Sequence, residues 1–338
     1  MSFSTAWLAL REDFDRRARD LARPVFDLAS LAKRLAPSGA PLSILDLGCG
    51  TGANLRWLAP RLGGVQHWTL VDHDAALLAA LPEALGAWAA QQGWGLFSTE
   101  AGSQLLHPHP HPHPQPQPQP QPQSQSQSQS DTDTDTDTDA ATFRIEAPDW
   151  QAHIALQRAD LAASLASLPL AQAHLVTASA LLDLVSARWI DELADSLATT
   201  RTALLFALSV DGRIAWEPVL DGDESVARLF ATHQLRDKGF GPALGPSAAD
   251  FAVRRLSATG RRCTQATTDW VIDAAEGPPA LRMLQAMAEG IAQAAQEQAP
   301  EAAPRIAAWR AARLEKLTVS RLRVGHLDLL AEAADAPH

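Results

Sequence analysis

The 338-residue sequence has no tyrosine and two cysteines, Cys49 and Cys263. Two thiols leave no disulfide framework and no zinc-binding pattern. No N-terminal segment joins a basic head to an apolar run. No stretch approaches the ~18 uninterrupted apolar residues of a spanning helix. No membrane is expected, and a reducing, cytoplasmic setting is the default expectation. Positive charge is also scarce: 28 Lys and Arg stand against 39 Asp and Glu, a net charge of −11. Five of those acids lie in one repetitive tract, and the remainder still balances at −6. A nucleic-acid substrate needs a broad basic face, so this balance argues against one. Nothing in the sequence speaks to oligomeric state.

What the sequence has is apolar residues, 46% of the total, rich in Ala and Leu, with 10 Trp. That is ample material for helices around a modest sheet. Residues 107–139 run as His-Pro, Gln-Pro, Gln-Ser and Asp-Thr dipeptides. They offer no apolar side chain to bury and so cannot repay ordering entropy. We read 100–141 as a low-complexity, disordered insert in a tolerated loop, flanked by a hairpin of Gly95–Thr99 with Thr142–Glu146. The alternating His107, His109, His111 and His113 are read as part of this repeat rather than as a metal site; no metal is expected.

Elsewhere strand and helix signals alternate. Ala6–Leu35 reads as one or two amphipathic helices, an N-terminal lid over 1–40. Apolar strands are expected at Leu42–Leu47, His67–Val71, Ile154–Arg158, Ala173–Thr177 and Ala203–Ser209. Helices are expected at Gly52–Leu62, Asp74–Gln91 and Trp189–Ala198. Strands joined by crossover helices imply a parallel sheet covered on both faces. After Ser209 the pattern loosens. A substrate-side excursion is expected over 212–260, beginning with a short pairing segment at Gly212–Glu217. A sixth strand is expected at Arg262–Ile272, a long helix at Leu281–Gln298 and a last strand at Ser320–Leu330. The fold class is α/β, a Rossmann-like, seven-stranded, mostly parallel sheet in one domain over 41–338.

The informative string is Ser43-Ile-Leu-Asp-Leu-Gly-Cys-Gly-Thr-Gly52, an apolar strand ending in an acid, three alternating glycines, then a helix. Glycines let backbone approach a ligand, and the helix N-terminus adds partial positive charge. Asp46 would repel the pyrophosphate that such loops bind in dinucleotide enzymes. It suits a ligand bearing an ammonium and a sulfonium. At the next strand end, Leu70-Val-Asp-His-Asp74 offers Asp72 to a ribose diol, or as a cap for the following helix.

These strings resemble motif I and the following acidic motif of class I S-adenosylmethionine-dependent methyltransferases over about residues 40–210. The resemblance implies S-adenosyl-L-methionine as cofactor. Asp46, Gly48, Cys49, Gly50 and Gly52 would form the loop, with Cys49 a packing residue. Asp72 would hold the ribose, and His73 would lie against adenine. Asp160, followed by Leu161, would either bond the adenine amino group or cap a helix. Ala178 and Ser179 would approach the methionine part. The family's histidine one place after Asp183 is absent, since Leu184 stands there.

For catalysis the sequence offers His233, in the dense polar run Thr232–Lys238 before a glycine-rich loop, and Asp183. Asp237 and Lys238 belong to the same run. His326 and Asp328 rank below them. Arg16, Arg17 and Arg19 either cover the cofactor's carboxylate or, with Asp13, Asp15 and Asp20, form a solvated face, the reading preferred. The expected function is methyl transfer to O or N of a small-molecule acceptor. The alternatives are another transferase using the same cofactor, or a non-catalytic protein that binds it.

Overall fold

A computed structural model describes residues 3–98 and 142–334. The tract read as a disordered insert lies outside the described residues. The chain opens with helix α1 (Thr5–Asp20), capped by Ser4, whose hydroxyl accepts from the Trp7 amide, and α2 (Leu28–Leu35). Strand β1 (Leu42–Leu47) leads through the glycine loop into α3 (Ala53–Leu62), then β2 (Gly64–Asp72) and α4 (Ala75–Gln91). Next come β3 (Gly95–Ser98), β4 (Thr142–Glu146), β5 (Trp150–Arg158), β6 (Leu175–Ser179), α5 (Ala187–Ser196) and β7 (Ala203–Glu217). The chain continues as α6 (Asp223–Gln234), α7 (Ala248–Ala258), β8 (Arg261–Thr267), β9 (Trp270–Asp273), α8 (Pro278–Gln298), α9 (Ala303–Glu315) and β10 (Arg321–Ala333).

All ten strands form one sheet in the order β3-β4-β5-β2-β1-β6-β7-β10-β8, with β9 also on β10. The five strands β5, β2, β1, β6 and β7 are parallel. β10 runs antiparallel to β7, β8 and β9. The expected seven strands are present, and the count rises to ten for two reasons. The β3–β4 hairpin extends the edge beside β5. The sixth strand is broken in two at Thr268–Asp269, where the Thr268 amide keeps its bond to the His326 carbonyl but the His326 amide donates to the Asp269 carboxylate. Gly212–Glu217 is no separate pairing segment but the far end of the 15-residue β7, still paired with β10.

Successive strands build outward from β1 to β2 and β5 on one side, then return to β6 and β7 on the other. The carboxyl ends of β1 and β6 therefore diverge, the switch point at which open α/β sheets leave a crevice. Helices α2, α3 and α4 pack on one face of the sheet, and α5 and α7 on the other. A third apolar cluster joins α1, α8 and α9 to the far halves of β7, β9 and β10. The two N-terminal helices thus separate: α2 sits in the first core, and α1 is anchored in the third through Phe14 and Ala18.

Candidate cofactor and acceptor sites

At the switch point the glycine loop turns back with positive φ at Gly48, Gly50 and Gly52. A Cβ on Gly52 would stand 2.8 Å from Leu81 Cδ2, so the loop, already at φ +83, has no room for a side chain there. The loop and its surroundings enclose a cavity of about 310 Å³. Gly48, Cys49, Gly50, Asp72, His73, Asp160, Leu161 and Ser179, all expected at the site, line it. The Cys49 thiol is buried, and that burial pushes its pKa well up, which fits packing and not nucleophilic work.

Asp72 accepts from the Gly50 amide (2.9 Å) and the Asp74 amide (3.0 Å), one bond to each oxygen. A carboxylate has about four acceptor sites, so each oxygen keeps one for a diol. Asp72 does not cap α4. Asp74 does, accepting from the Ala76 and Leu77 amides. No helix follows Asp160 either; its Oδ1 accepts from the Ala162 amide in a turn, and the exposed carboxylate borders the cavity. Of the two readings for Asp160, the cap is excluded.

Three expected residues do not line the cavity: Gly52, at the N-cap of α3, Ala178 and Asp46. Ala178 is buried in the sheet, and its neighbours Ser179 and Ala180 face the cavity. Asp46 is fully buried and meets the cavity through Asn54, whose Nδ2 donates to Asp46 Oδ1 (2.7 Å) and to Thr177 Oγ1 (3.1 Å). Asp46 Oδ2 has no hydrogen-bond partner. Desolvation raises its pKa to about 7, opposed by the Asn54 bond and by Arg19.

Arg19 corrects the solvated-face reading. Arg16 and Arg17 lie at the surface, but Arg19 is 2% exposed. It donates to Asn54 Oδ1 (2.8 Å) and stacks its guanidinium 3.9 Å from the Trp57 ring. Burial lowers its pKa to about 10. Helix α1 thus contributes to the floor behind the loop as well as to its roof, where Leu8 would stand 3.2 Å from a Cβ on Gly50. Asn54, Arg11, Asp15 and Phe240 also line the cavity and were not singled out from sequence. Asn54 had a signal, as a polar residue in the first turn after the loop. The others arrive from distant segments.

A second cavity of about 560 Å³ borders the first, sharing Arg11, Ala180, Leu184 and Lys238 as walls. Both catalytic candidates line it, as does His326. Desolvation raises the Asp183 pKa to about 6, against the opposing pull of backbone amides and Arg11. His233, at the end of α6, bonds through Nε2 to Glu297 Oε2 of α8 at 3.0 Å. His326 is 2% exposed, with its ring 4.8 Å from that of Trp270, and burial drives its pKa down to about 3. Its Nδ1 lies 3.1 Å from the Val324 carbonyl and so carries the proton, leaving Nε2 as an acceptor. Asp328 does not line the cavity; it is buried and bonded to the Leu208 amide and the Thr268 hydroxyl. Two non-glycine residues with positive φ, Ala180 (53°) and Leu208 (56°), border this cavity. Strain of this kind concentrates at functional sites.

No family model and no curated protein matches the sequence. Solved structures do. A cyclopropane-fatty-acyl-phospholipid synthase-like protein from Lactobacillus casei is 13% identical, covering 97% of this chain and 94% of its own, with a TM-score of 0.44. An S-adenosylmethionine-dependent methyltransferase from Mesorhizobium loti is 15% identical over 88% of this chain and 96% of its own, at 0.34. A geranyl diphosphate methyltransferase in complex with SAM is 8% identical over 91% and 84%, at 0.37. The chain has a Rossmann-like α/β fold with a mostly parallel central sheet. Among the described residues no helix is long and apolar enough to cross a membrane, and no cluster of His, Cys, Asp or Glu is arranged to hold a metal.

Proposed function

We propose that the chain is a methyltransferase that uses S-adenosylmethionine to methylate a small-molecule acceptor. The observation that carries this reading is the pairing of two cavities across one wall. One is lined by a glycine loop and two strand-end acids, the other by apolar side chains and a half-buried carboxylate. The first fits the cofactor in its donor set. Asp72 retains free lone pairs for the ribose hydroxyls, Asp160 offers an acceptor for the adenine amino group, and His73 lies beside it. Ser179 stands where the methionine part would reach. The cofactor supplies an electrophilic methyl on a sulfonium.

The protein's own work is then alignment, exclusion of water and removal of a proton. Asp183 follows Ala180 and precedes Leu184, both shared walls, so it stands nearest the transfer. His233, held by Glu297 on the α6–α8 side, is the second candidate and orients the acceptor. Calorimetry with S-adenosylhomocysteine tests the first cavity, and methyl-labelled cofactor added to a cell extract tests turnover. A labelled small molecule identified by mass is expected. Binding without any labelled product would leave a cofactor-binding protein and remove the enzyme; no binding would remove both.

A further inference from the structure

The second cavity has a composition that selects among acceptors. Apolar side chains from four directions wall it: Trp7 of α1, Phe230 of α6, Met287 and Ile291 of α8, and Trp270 of β9. Between them α6 and α8 present small residues, Ala227, Ala231 and Gly290 among them. A volume of about 560 Å³ is that of a ligand pocket. Its polar groups do not suit every ligand. Asp183 and the Nε2 of His326 are both acceptors, and they call for a donor on the ligand. Lys238, also at the shared wall, is a cation and would oppose an ammonium while favouring an oxygen that is losing its proton; Arg11 beside it is already ion-paired with Asp15. The remaining charges are already engaged. Arg213 is bonded to Asp211 and Asp269, and Glu297 to His233.

We propose that the acceptor is a neutral, largely apolar molecule carrying a phenol-type hydroxyl, seated in this cavity with its hydroxyl at the Asp183 end. The proposal rests on the methyltransferase reading for its chemistry and on the cavity alone for its binding. The acidity of the hydroxyl follows from the base. A carboxylate with a pKa of about 6 is far too weak to help an aliphatic alcohol, but phenols ionise near pH 10, within its reach. In the step, the phenol oxygen forms a bond to the methyl carbon as the carbon–sulfur bond breaks, its electron pair leaving on a neutral sulfur. The hydroxyl proton passes to Asp183, and Lys238 stabilises the charge developing on oxygen.

The test uses the full chain with 2-naphthol, 2-naphthylamine and 2-naphthalenesulfonate as probes, read by titration calorimetry with S-adenosylhomocysteine at saturation and absent. The variant is Gly290→Leu. Gly290 lines the cavity, lies inside α8, and a Cβ there meets nothing within 4 Å, so the helix accepts it and the cavity fills. We expect 2-naphthol to bind best, and about tenfold or more weaker in Gly290→Leu, with S-adenosylhomocysteine affinity unchanged. Stronger binding of the amine or sulfonate than of 2-naphthol overturns the proposal. So does naphthol binding that Gly290→Leu leaves intact. Naphthol binding lost in the variant, in a protein with no affinity for S-adenosylhomocysteine, keeps the cavity assignment and sinks the methyltransferase reading instead.

Discussion

The two cavities meet at Ala180 and Leu184 yet are built in opposite ways. The first takes its ligand-facing glycines and Asp72 from one stretch of about thirty residues, where two adjacent parallel strands end. The second is assembled from α1, α6, α8, β7, β9 and β10, elements that span nearly the whole chain. A locally built site is fragile at single positions. A site walled by many helices spreads its dependence over many contacts, and its selectivity sits in a few polar groups.

The sharpest contrast is kinetic. Asp183→Asn should lower methyl transfer by about 10²–10⁴-fold, the range for losing a general base, and leave S-adenosylhomocysteine affinity intact. The carboxylate form exists above a pKa of about 6, so wild-type rate should rise with pH through that point and then level. Arg11 and Lys238 face this carboxyl, with His233 and His326 on the same cavity. The asparagine variant should lack the limb. His233→Ala, which removes a group tied to Glu297, should cost less; if it costs more, the two roles are reversed.

Gly52→Val sets the fragile cavity against the tolerant one. It forces a β-branched residue to φ +83 and into Leu81, and should lose about 2–5 kcal/mol in chemical denaturation. Gly290→Leu should lose almost nothing. Equal costs would show that the loop is not the constrained partner. Asp72→Ala should weaken S-adenosylhomocysteine by about 1–3 kcal/mol, the cost of a missing buried partner; undiminished affinity in a folded variant means that another group anchors the ribose.

Asp46, on the strand beside that of Asp72, gives a smaller effect of opposite kind. Its folded pKa, about 7, lies above the ordinary carboxyl value, so its contribution to stability is full at acid pH and is lost as pH rises through 7. Asp46→Asn can still accept from Asn54. It should flatten the fall in stability between pH 5 and 8 by on the order of 1 kcal/mol, one pKa unit being about 1.4 kcal/mol. Arg19, Asp72 and the buried Asp15 and Asp328 share this region, so some slope will remain. An unchanged slope would place the titration in those neighbours. The smallest effect concerns the repeat. Deleting His107–Asp139 should leave melting temperature and cofactor affinity within error, and a loss of several degrees would give the tract a structural part.

This division also governs what the sequence disclosed. The β1–loop–α3–β2 unit was legible because strand, glycines and acids are neighbours in the chain, and local pattern states their geometry. Arg19 was misread because α1 alternates acids and bases on all sides. Only its helical phase with Phe14 and Ala18 carries it into the interior. Asp160 was ambiguous because a cap and a ligand-facing acid look alike until the following residues fail to form a helix. The walls contributed by α8 had no signal, since Ala, Gly and Met at helical spacing are the ordinary content of a core. His326 ranked below His233 because a lone histidine among apolar residues looks structural. The split of β8 from β9 likewise depends on the Asp269 carboxylate taking the His326 amide of β10, a tertiary fact.

The β3–β4 hairpin carries a consequence for how this gene can drift. Ser98 and Phe143 are register partners, so the segment between them leaves and re-enters the fold at one strand spacing. No residue of either strand lines the two cavities. Doubling the length of a flexible loop costs only about 0.6 kcal/mol. Replication slippage in the six-nucleotide units that encode these dipeptides can therefore lengthen or shorten the tract without reaching the cavities. The same place is a port at which a reporter domain can be spliced into the protein without touching either cavity.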